Sequence, residues 1–330
     1  MIKETILEYL WEHADEYVSG AEIARRLSVS RTAVWKGIEQ LREQGYLIES
    51  VTNKGYRLSS KSDVLSLAGV RRYLKDSRLQ PRVYSRITST NTVLKTLAEE
   101  GAAEGLALIA GEQTAGRGRR GRSFYSPPES GVYMSLLLRP RLLAEDATRI
   151  TACAAVAVAE VLEELSGLHT RIKWVNDVLI EGKKVCGILT EASVDCESRM
   201  VNYLIVGIGI NTSLPAADFP EELRGIAGAV FGESRPPELR CRVAAGVLDR
   251  LMAYADHLEN RSYFEEYKKR SLVLGKPINI LAAGREPEPA FALDLDPDFA
   301  LVVRCADGSL RRINSGEVSV RVADGSGAQT

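Results

Sequence analysis

Residues Gly111 to Arg122 read Gly-Glu-Gln-Thr-Ala-Gly-Arg-Gly-Arg-Arg-Gly-Arg, with Arg117, Arg119, Arg120 and Arg122 set among Gly116, Gly118 and Gly121. A segment so dense in positive charge is poorly suited to a packed interior, and its glycines do not hold a helix. It is a loop, and it leaves an apolar run, Leu106 to Ala110, that reads as a strand. A second apolar run, Val132 to Leu138, takes up the chain again. Glycine lets backbone approach a ligand closely, and arginine forks pair with phosphate or carboxylate oxygens, so the loop suits closure over an anion. A long segment of this kind between two strands has the form of an active-site lid.

At 330 residues the chain is long enough for two or three domains, at least one with a sizeable core. Lys and Arg number 43 against 44 Asp and Glu, so contact with nucleic acid has to come from a local patch. The five cysteines (Cys153, Cys186, Cys196, Cys241, Cys305) are scattered without a C-x-x-C pair, and there are three dispersed histidines. That argues against a disulfide framework and against a zinc site, and no metal held by protein ligands is expected. The first residues lack a signal-peptide apolar block, and Ala152 to Ala159 is too short to span a bilayer. The expectation is a cytoplasmic protein with no membrane partner.

Residues 1–60 read as a small helical domain. Ile6, Leu7, Leu10, Trp11, Ala14 and Val18 recur at helical spacing over residues 2–18, an amphipathic face. A short helix follows Ser19-Gly20, and Ser30 is placed to cap a third, Arg31 to Gln44, with Val34, Ile38 and Leu41 inward. Arg31, Thr32 and Lys36 stand near its exposed start, while Trp35 borders the apolar face and is read as packing. Tyr46 to Ser50 and Gly55 to Leu58 read as two strands of a hairpin with Lys54 near its tip. Two helices and a tight turn, with a basic start to the second, make a helix-turn-helix, and the hairpin makes it winged. In that reading Ser30, Arg31, Thr32 and Lys36 face DNA and Lys54 and Arg57 contact its backbone; a plain three-helix interaction module with a solvated basic edge is the alternative. Residues 59–63 are polar and without periodicity, a linker.

Residues 64–270 mix strands and helices: strands at Arg82–Ile87, Leu106–Ala110, Val132–Leu138, Arg171–Trp174, Val185–Thr190 and Leu204–Ile210, a helix from Asn91 to Glu100, and a long Ala/Val-rich helix near Glu145–Leu165 buried on a sheet. This is an α/β domain with one large sheet. Residues 271–322 carry five short strands (Ile278–Ala282, Ala290–Leu295, Ala300–Cys305, Leu310–Ile313, Val318–Val322) broken by Gly, Pro and Asp, and read as a small β-barrel. Residues 323–330 are expected to fray.

The arginine loop contains Gly116, Gly118 and Gly121 at G-x-G-x-x-G spacing, but a dinucleotide site needs a helix to open directly after them, and Ser123-Phe-Tyr-Ser-Pro-Pro does not start one. No G-x-x-x-x-G-K-[ST] exists either. Three other segments matter. Ser89-Thr90-Asn91 offers compact donors and acceptors at a strand-to-helix junction. Lys173-Trp-Val-Asn176-Asp177 precedes Gly182-Lys183-Lys184 and Gly187. Gly207-Ile-Gly209-Ile-Asn211 is an apolar strand whose glycines let a flat ligand approach backbone. Singly, Ser-Thr-Asn is an ordinary cap and Gly-Lys-Lys an ordinary hairpin turn; their joint order is specific.

That set, from Ser89-Thr-Asn91 and Gln113-Thr-Ala-Gly-Arg-Gly-Arg-Arg-Gly-Arg122 through Lys173-Trp-Val-Asn-Asp177 and Lys184-Val-Cys-Gly-Ile-Leu189 to Gly207-Ile-Gly-Ile-Asn211, resembles the biotin–protein ligase family over nearly the whole chain. The winged helix-turn-helix in front is similar to that of the bifunctional members, which also repress biotin-synthesis and uptake genes. Val175 stands where the family usually has proline, a change without consequence for a reactive group. The resemblance implies a ligase domain similar to class II aminoacyl-tRNA synthetases and an SH3-like C-terminal barrel with Ser315-Gly316-Glu317 as its closing turn.

It further implies formation of biotinyl-5′-AMP from biotin and ATP with Mg2+, then transfer of biotin to a lysine of a biotin carboxyl carrier domain, as in acetyl-CoA carboxylase. Charge building on phosphate oxygens suits guanidinium groups and a magnesium ion. By the resemblance, Ser89, Thr90, Asn91 and Gln113 hold the ureido end of biotin, Gly116, Arg117, Gly118 and Arg119 close over it, and Lys184 pairs with the carboxylate or adenylate phosphate. Arg120, Arg122, Phe124, Asn176 and Asn211 are the ATP-side candidates. Asp177 is assigned to orient or deprotonate the acceptor lysine, whose ordinary pKa of about 10.4 leaves it mostly protonated at neutral pH. Adenylate is expected to act as corepressor, ordering the central loops and favouring a two-fold homodimer that pairs two readers on operator DNA. The rival readings are a lipoate–protein ligase and a DNA-binding regulator using the ligase-like domain only as a ligand sensor.

Overall fold

The chain opens with α1 (Ile2–Glu12), which buries Ile6, Leu7, Leu10 and Trp11 and ends short of the expected Val18. Val18 is taken instead into an antiparallel bridge with Tyr56, with N–H to O distances of 2.9 and 2.8 Å, and Asp15 at φ 65° makes the turn. The structure is a computed structural model that describes residues 2–232, 235–282, 285–314 and 318–322. Helix α2 (Gly20–Arg26) is capped by Ser19, whose Oγ accepts from the Glu22 N–H. Ser30 caps α3 (Arg31–Glu43) in the same way, accepting from the Ala33 N–H at 3.1 Å; such caps satisfy donors that the first turn leaves open. Strands β1 (Ile48–Val51) and β2 (Gly55–Leu58) pair antiparallel as the wing. The expectation for Trp35 is corrected: it is 53% exposed, because the small core closes over Val34, Ile38 and Leu41 without it.

The linker is not a free tether either. Ser62 is wholly buried and its carbonyl accepts from the Glu238 N–H at 3.3 Å. The Asp63 carboxylate accepts from the Arg240 backbone N–H at 3.0 Å and from Arg240 Nε at 3.2 Å. Ser62 and Asp63 thus bond to the next domain, while the Ser59 and Ser60 N–H groups bond back to Leu47 and Asp15 of the winged one.

Beyond it, α4 (Leu67–Tyr73) leads into a seven-stranded sheet. Its strands are β3 (Gln80–Tyr84), β4 (Leu106–Ala110), β5 (Gly131–Leu138), β6 (Thr170–Lys173), β7 (Asp177–Ile180), β8 (Lys183–Val194) and β9 (Val201–Asn211), in the order β3-β4-β5-β9-β8-β7-β6. Only β3–β4 is parallel; the other neighbours are antiparallel. One face is covered by α5 (Thr90–Glu99), with Leu94 and Ala98 on Leu108, Leu137 and Ile205. The other is covered by α6 (Ala147–Ser166) and α7 (Leu239–Asp256). Helix α6 is buried along most of its length by alanine and valine, as its composition predicts. Helices α4, α7 and α8 (Ser262–Arg270) and strand β7 go unassigned in the sequence reading.

The C-terminal unit is a five-stranded antiparallel sheet in the order β13-β12-β11-β10-β14. Strand β10 is Pro277–Ala282, β11 Glu288–Leu295, β12 Leu301–Cys305, β13 Leu310–Ile313 and β14 Val318–Val322. It docks on the central domain through Phe299, whose carbonyl accepts from Trp174 Nε1 at 3.0 Å. The Ser315-Gly316-Glu317 turn and residues 323–330 lie outside the described residues. Among the described residues no helix is long and apolar enough to cross a membrane.

Candidate functional site

The four segments that carry the motifs meet at one mouth of the central sheet. Ser89 caps α5 through its Oγ, so Thr90 and Asn91 occupy the first helical turn and are buried. Gln113, just beyond β4, accepts from the Thr90 N–H at 2.8 Å and donates through Nε2 to Ser126 Oγ at 3.1 Å. Asn91 Nδ2 donates to Glu191 Oε2 at 2.8 Å, and its Oδ1 lies 2.6 Å from the Ser135 hydroxyl. These groups, neutral apart from Glu191 behind Asn91, form one wall.

The opposite wall is charged. The β6–β7 turn presents Asn176 and Asp177, and β8 brings Lys184, whose Nζ stands 2.7 Å from Asp177 Oδ1. Asn176 Nδ2 donates to the same oxygen at 3.0 Å, and Arg119 Nη1 donates to Asn176 Oδ1 at 2.8 Å. Burial pushes the Arg119 pKa down, its neighbour Arg120 adds to that, and Asp177 opposes both. Arg117 reaches across to Glu191 at 3.0 Å. Four side chains of the charged wall are thus already oriented by one another before a ligand arrives.

Between the walls lies a cavity of about 50 Å3. It is lined by Ser89, Thr90, Asn91, Gln113, Arg117, Gly118, Arg119, Phe124, Asn176 and Lys184, together with Gly207 and Gly209. The glycines serve differently from the expectation. A Cβ on Gly209 would lie 2.5 Å from the Phe124 ring, and one on Gly187 2.9 Å from it, while one on Gly207 would strike the Asn91 carboxamide. They admit the protein's own side chains, and Phe124 stands where a larger ligand would need room.

Several expected residues lie elsewhere. Gly116, within the loop, is outside the cavity lining, and a Cβ there would strike the Phe124 carbonyl. Arg120, at φ 57°, and Arg122 are exposed outside the cavity lining. Asn211 is buried and donates through Nδ2 to the Gly228 carbonyl at 3.1 Å, holding the segment that also pairs with Lys184. Sequence reasoning missed Ser135, Ser126 and Glu191, which sit within or beside strands and match no motif. Among the described residues no three His, Cys, Asp or Glu side chains cluster as metal ligands.

On the winged domain, Ser30 is spent on its cap, and Arg31, Thr32 and Lys36 are exposed on α3. Lys54 is exposed at the wing turn, 5.8 Å above the Tyr17 ring. Arg57 is already committed to Glu49 at 2.6 Å on the facing strand, so it is the least available cation of the set.

Comparison with known proteins agrees along the whole chain. The Biotin/lipoate A/B protein ligase family matches residues 83–211, an HTH domain residues 3–57, and the biotin protein ligase C terminal domain residues 273–321. The bifunctional ligase/repressor BirA of Bacillus spizizenii is 36% identical over 97% of this chain and 98% of its own length. That of Escherichia coli is 28% identical over 94% of each. A solved structure of the Aquifex aeolicus biotin protein ligase in complex with biotin and ATP covers 74% of this chain and 99% of its own, at 29% identity and a TM-score of 0.61.

Proposed function

This chain belongs to the biotin protein ligase family in its bifunctional ligase/repressor form, and from that premise we propose how its residues divide the work. The protein is an ATP-dependent biotin–protein ligase that also represses transcription through its helix-turn-helix. In the first step a biotin carboxylate oxygen attacks the α-phosphorus of ATP, the bond to pyrophosphate breaks, and biotinyl-5′-AMP forms. In the second the ε-amine of a carrier-domain lysine attacks the acyl carbon, AMP leaves, and the amine gives up a proton.

The observation that carries this assignment is the 2.7 Å contact of Lys184 with Asp177 on a wall shared with Arg119, facing a wall of neutral donors and acceptors. Neutral, fully oriented groups suit a ureido ring, which offers two N–H donors and one carbonyl acceptor: Ser89, Thr90, Asn91 and Gln113 take that end. Lys184 leaves Asp177 for the carboxylate or the phosphate, and that exchange frees Asp177 to receive the acceptor amine. Arg117 and Arg119, with Gly116 and Gly118, close over the ligand and exclude water that would hydrolyse the acyl-adenylate. Arg120 and Arg122, exposed beside the mouth, serve the departing pyrophosphate. Asn176 and Phe124 serve the nucleotide side, with Phe124 swinging off Gly209, and Asn211 acts by fixing the 226–228 segment. The site supplies cations rather than carboxylates to the phosphates, so a magnesium ion would be carried in on ATP itself and add charge neutralisation there.

The finer architecture is read as residues 1–60, 64–270 and 271–322, with a synthetase-like central domain, an SH3-like barrel and a cytoplasmic setting. Adenylate acts as corepressor by promoting a two-fold dimer on a palindromic operator. The test is incubation with biotin, ATP, magnesium and a biotin carboxyl carrier domain. Pyrophosphate release and one biotinylated lysine are expected; adenylate formation without transfer, or lipoylation in place of biotinylation, ends the assignment.

A further inference from the structure

We propose that Trp35 reads sequence in the operator, its indole packing against a thymine 5-methyl group in the major groove. This rests on the repressor reading of the winged domain. Trp35 is 53% exposed, whereas Trp11 and Trp174, the other two tryptophans of the chain, are 8% and 4% exposed. It lies one helical turn from Arg31, so those two side chains share a face of α3, and Lys36, also exposed, stands at the edge of that face. The domain core is complete without it. A large apolar side chain half open to water is therefore no member of the buried core of this unit.

Charge names the occupant of the face. Among the described residues Arg31 and Lys36 have no ion pair, in a chain where Arg42, Arg57, Arg78 and Arg270 are all matched to carboxylates. Arg25 and Arg26 close α2 on the side where α3 begins, while Glu4, Glu8 and Glu12 lie on α1. Glu39, one turn beyond Trp35, is matched by Arg42, so the patch is cationic although the chain as a whole is near neutral, which fits a phosphate backbone and disfavours a basic-rimmed partner. Within such a patch an indole adds nothing to phosphate binding. In the major groove the apolar feature that distinguishes one base pair from another is the thymine methyl, and the first turns of a recognition helix are the part that reaches base edges.

The experiment uses the full chain with biotin and ATP and the tightest duplex it retains from a random-sequence pool. Iodide quenching of tryptophan emission in wild type should be lost on adding that duplex, and Trp35→Phe should remove the quenchable signal at the outset. Replacing thymines one at a time by uracil should weaken wild-type binding about fourfold at one position per half-site, the worth of one methyl withdrawn from water. The same uracil should cost Trp35→Ala nothing. Trp35→Ala should lose on the order of tenfold in affinity with the salt slope unchanged, whereas Lys36→Ala should lower that slope by about one. Quenching that persists in the complex, or equal uracil costs in wild type and Trp35→Ala, overturns the contact while leaving the repressor reading intact. Iodide protection that depends on protein concentration without DNA gives the face to a second copy of the chain and overturns it too. Absence of any retained duplex removes the repressor reading and this contact together.

Discussion

Asn91 has little freedom left in its carboxamide. Glu191 and the Leu189 carbonyl accept from Nδ2 at 2.8 and 3.3 Å, and the Ser135 hydroxyl stands 2.6 Å from Oδ1. The bond to Glu191 is charge-assisted, of a kind worth about 1.5–3 kcal/mol, and Glu191 also holds Arg117. Glu191→Ala should therefore raise the KM for biotin by about tenfold or more with a smaller change in kcat, measured by steady-state biotinylation over a range of biotin. An unchanged KM would mean that Ser135 and the Leu189 carbonyl suffice to set the amide. Arg119 has the opposite duty. Its guanidinium is partly buried over Asn176, where it completes the cover of the site. Arg119→Gly should release adenylate into solution, and exposed lysines of a bystander protein should become biotinylated. Retention of the intermediate as in wild type would contradict closure by this residue.

Among the elements, α8 shows why part of the fold escaped the sequence. Its buried side chains are two tyrosines, Tyr263 and Tyr267, amid Glu, Lys and Arg, so periodicity carries almost no apolar signal. Strand β7 is four residues long and begins at Asp177, which reads as a polar loop. Helix α7 does repeat Leu239, Val243, Val247 and Leu251, but behind a stretch without clear strands. Runs without an acidic start fared better, and Leu106–Ala110 and Leu310–Ile313 match to the residue. The site divides the same way: residues in polar motifs were legible, whereas Ser135 and Glu191 lie inside strands and look like strand alternation. Besides the packing of its two tyrosines, α8 is tied down by charge. Arg270 Nη2 lies 2.7 Å from Glu163 on α6, and Thr170 donates to Glu163 through its N–H and Oγ1. Burial pushes the Glu163 carboxyl up, but Arg270 and Thr170 together outweigh it and hold the group below its usual value. A depressed carboxylate stabilises fully above its unfolded pKa of about 4.3 and less as pH falls through the folded value. Glu163→Gln should lower the Tm at pH 7 through a stability loss on the order of 1–3 kcal/mol, and the gap to wild type should narrow in melts taken progressively below pH 4. A gap constant with pH would show that packing, not charge, joins these helices.

At the scale of the whole molecule, the question is how a reader of DNA learns the state of a pocket in another domain. The winged unit does not hang from a tether. Tyr46 donates to Ser66 Oγ at 2.9 Å, the Arg72 guanidinium lies 5.5 Å from the centre of the Trp11 ring, and Asp63 is clamped by Arg240. Arg235 extends that clamp: its Nη1 donates to Ser213 Oγ at 3.0 Å and stands 3.9 Å from Asp63 Oδ2. Ser213 follows β9, whose Gly207 and Gly209 line the pocket, and its N–H bonds the Ser130 carbonyl where the arginine loop rejoins the sheet. A ligand that shifts the loop thus has a bonded route to the linker, which a coupling measurement tests. Asp63→Asn keeps an acceptor for the Arg240 N–H and removes the charge that both arginines share. It should leave kcat/KM for biotinylation unchanged and shrink the gain in operator affinity on adding biotin and ATP. Coupling free energies of about 1–3 kcal/mol put the loss between about fivefold and a hundredfold in a titration of labelled operator with and without ligand. If the gain survives in full, adenylate acts through dimerisation alone, and the linker merely sets where the reader sits.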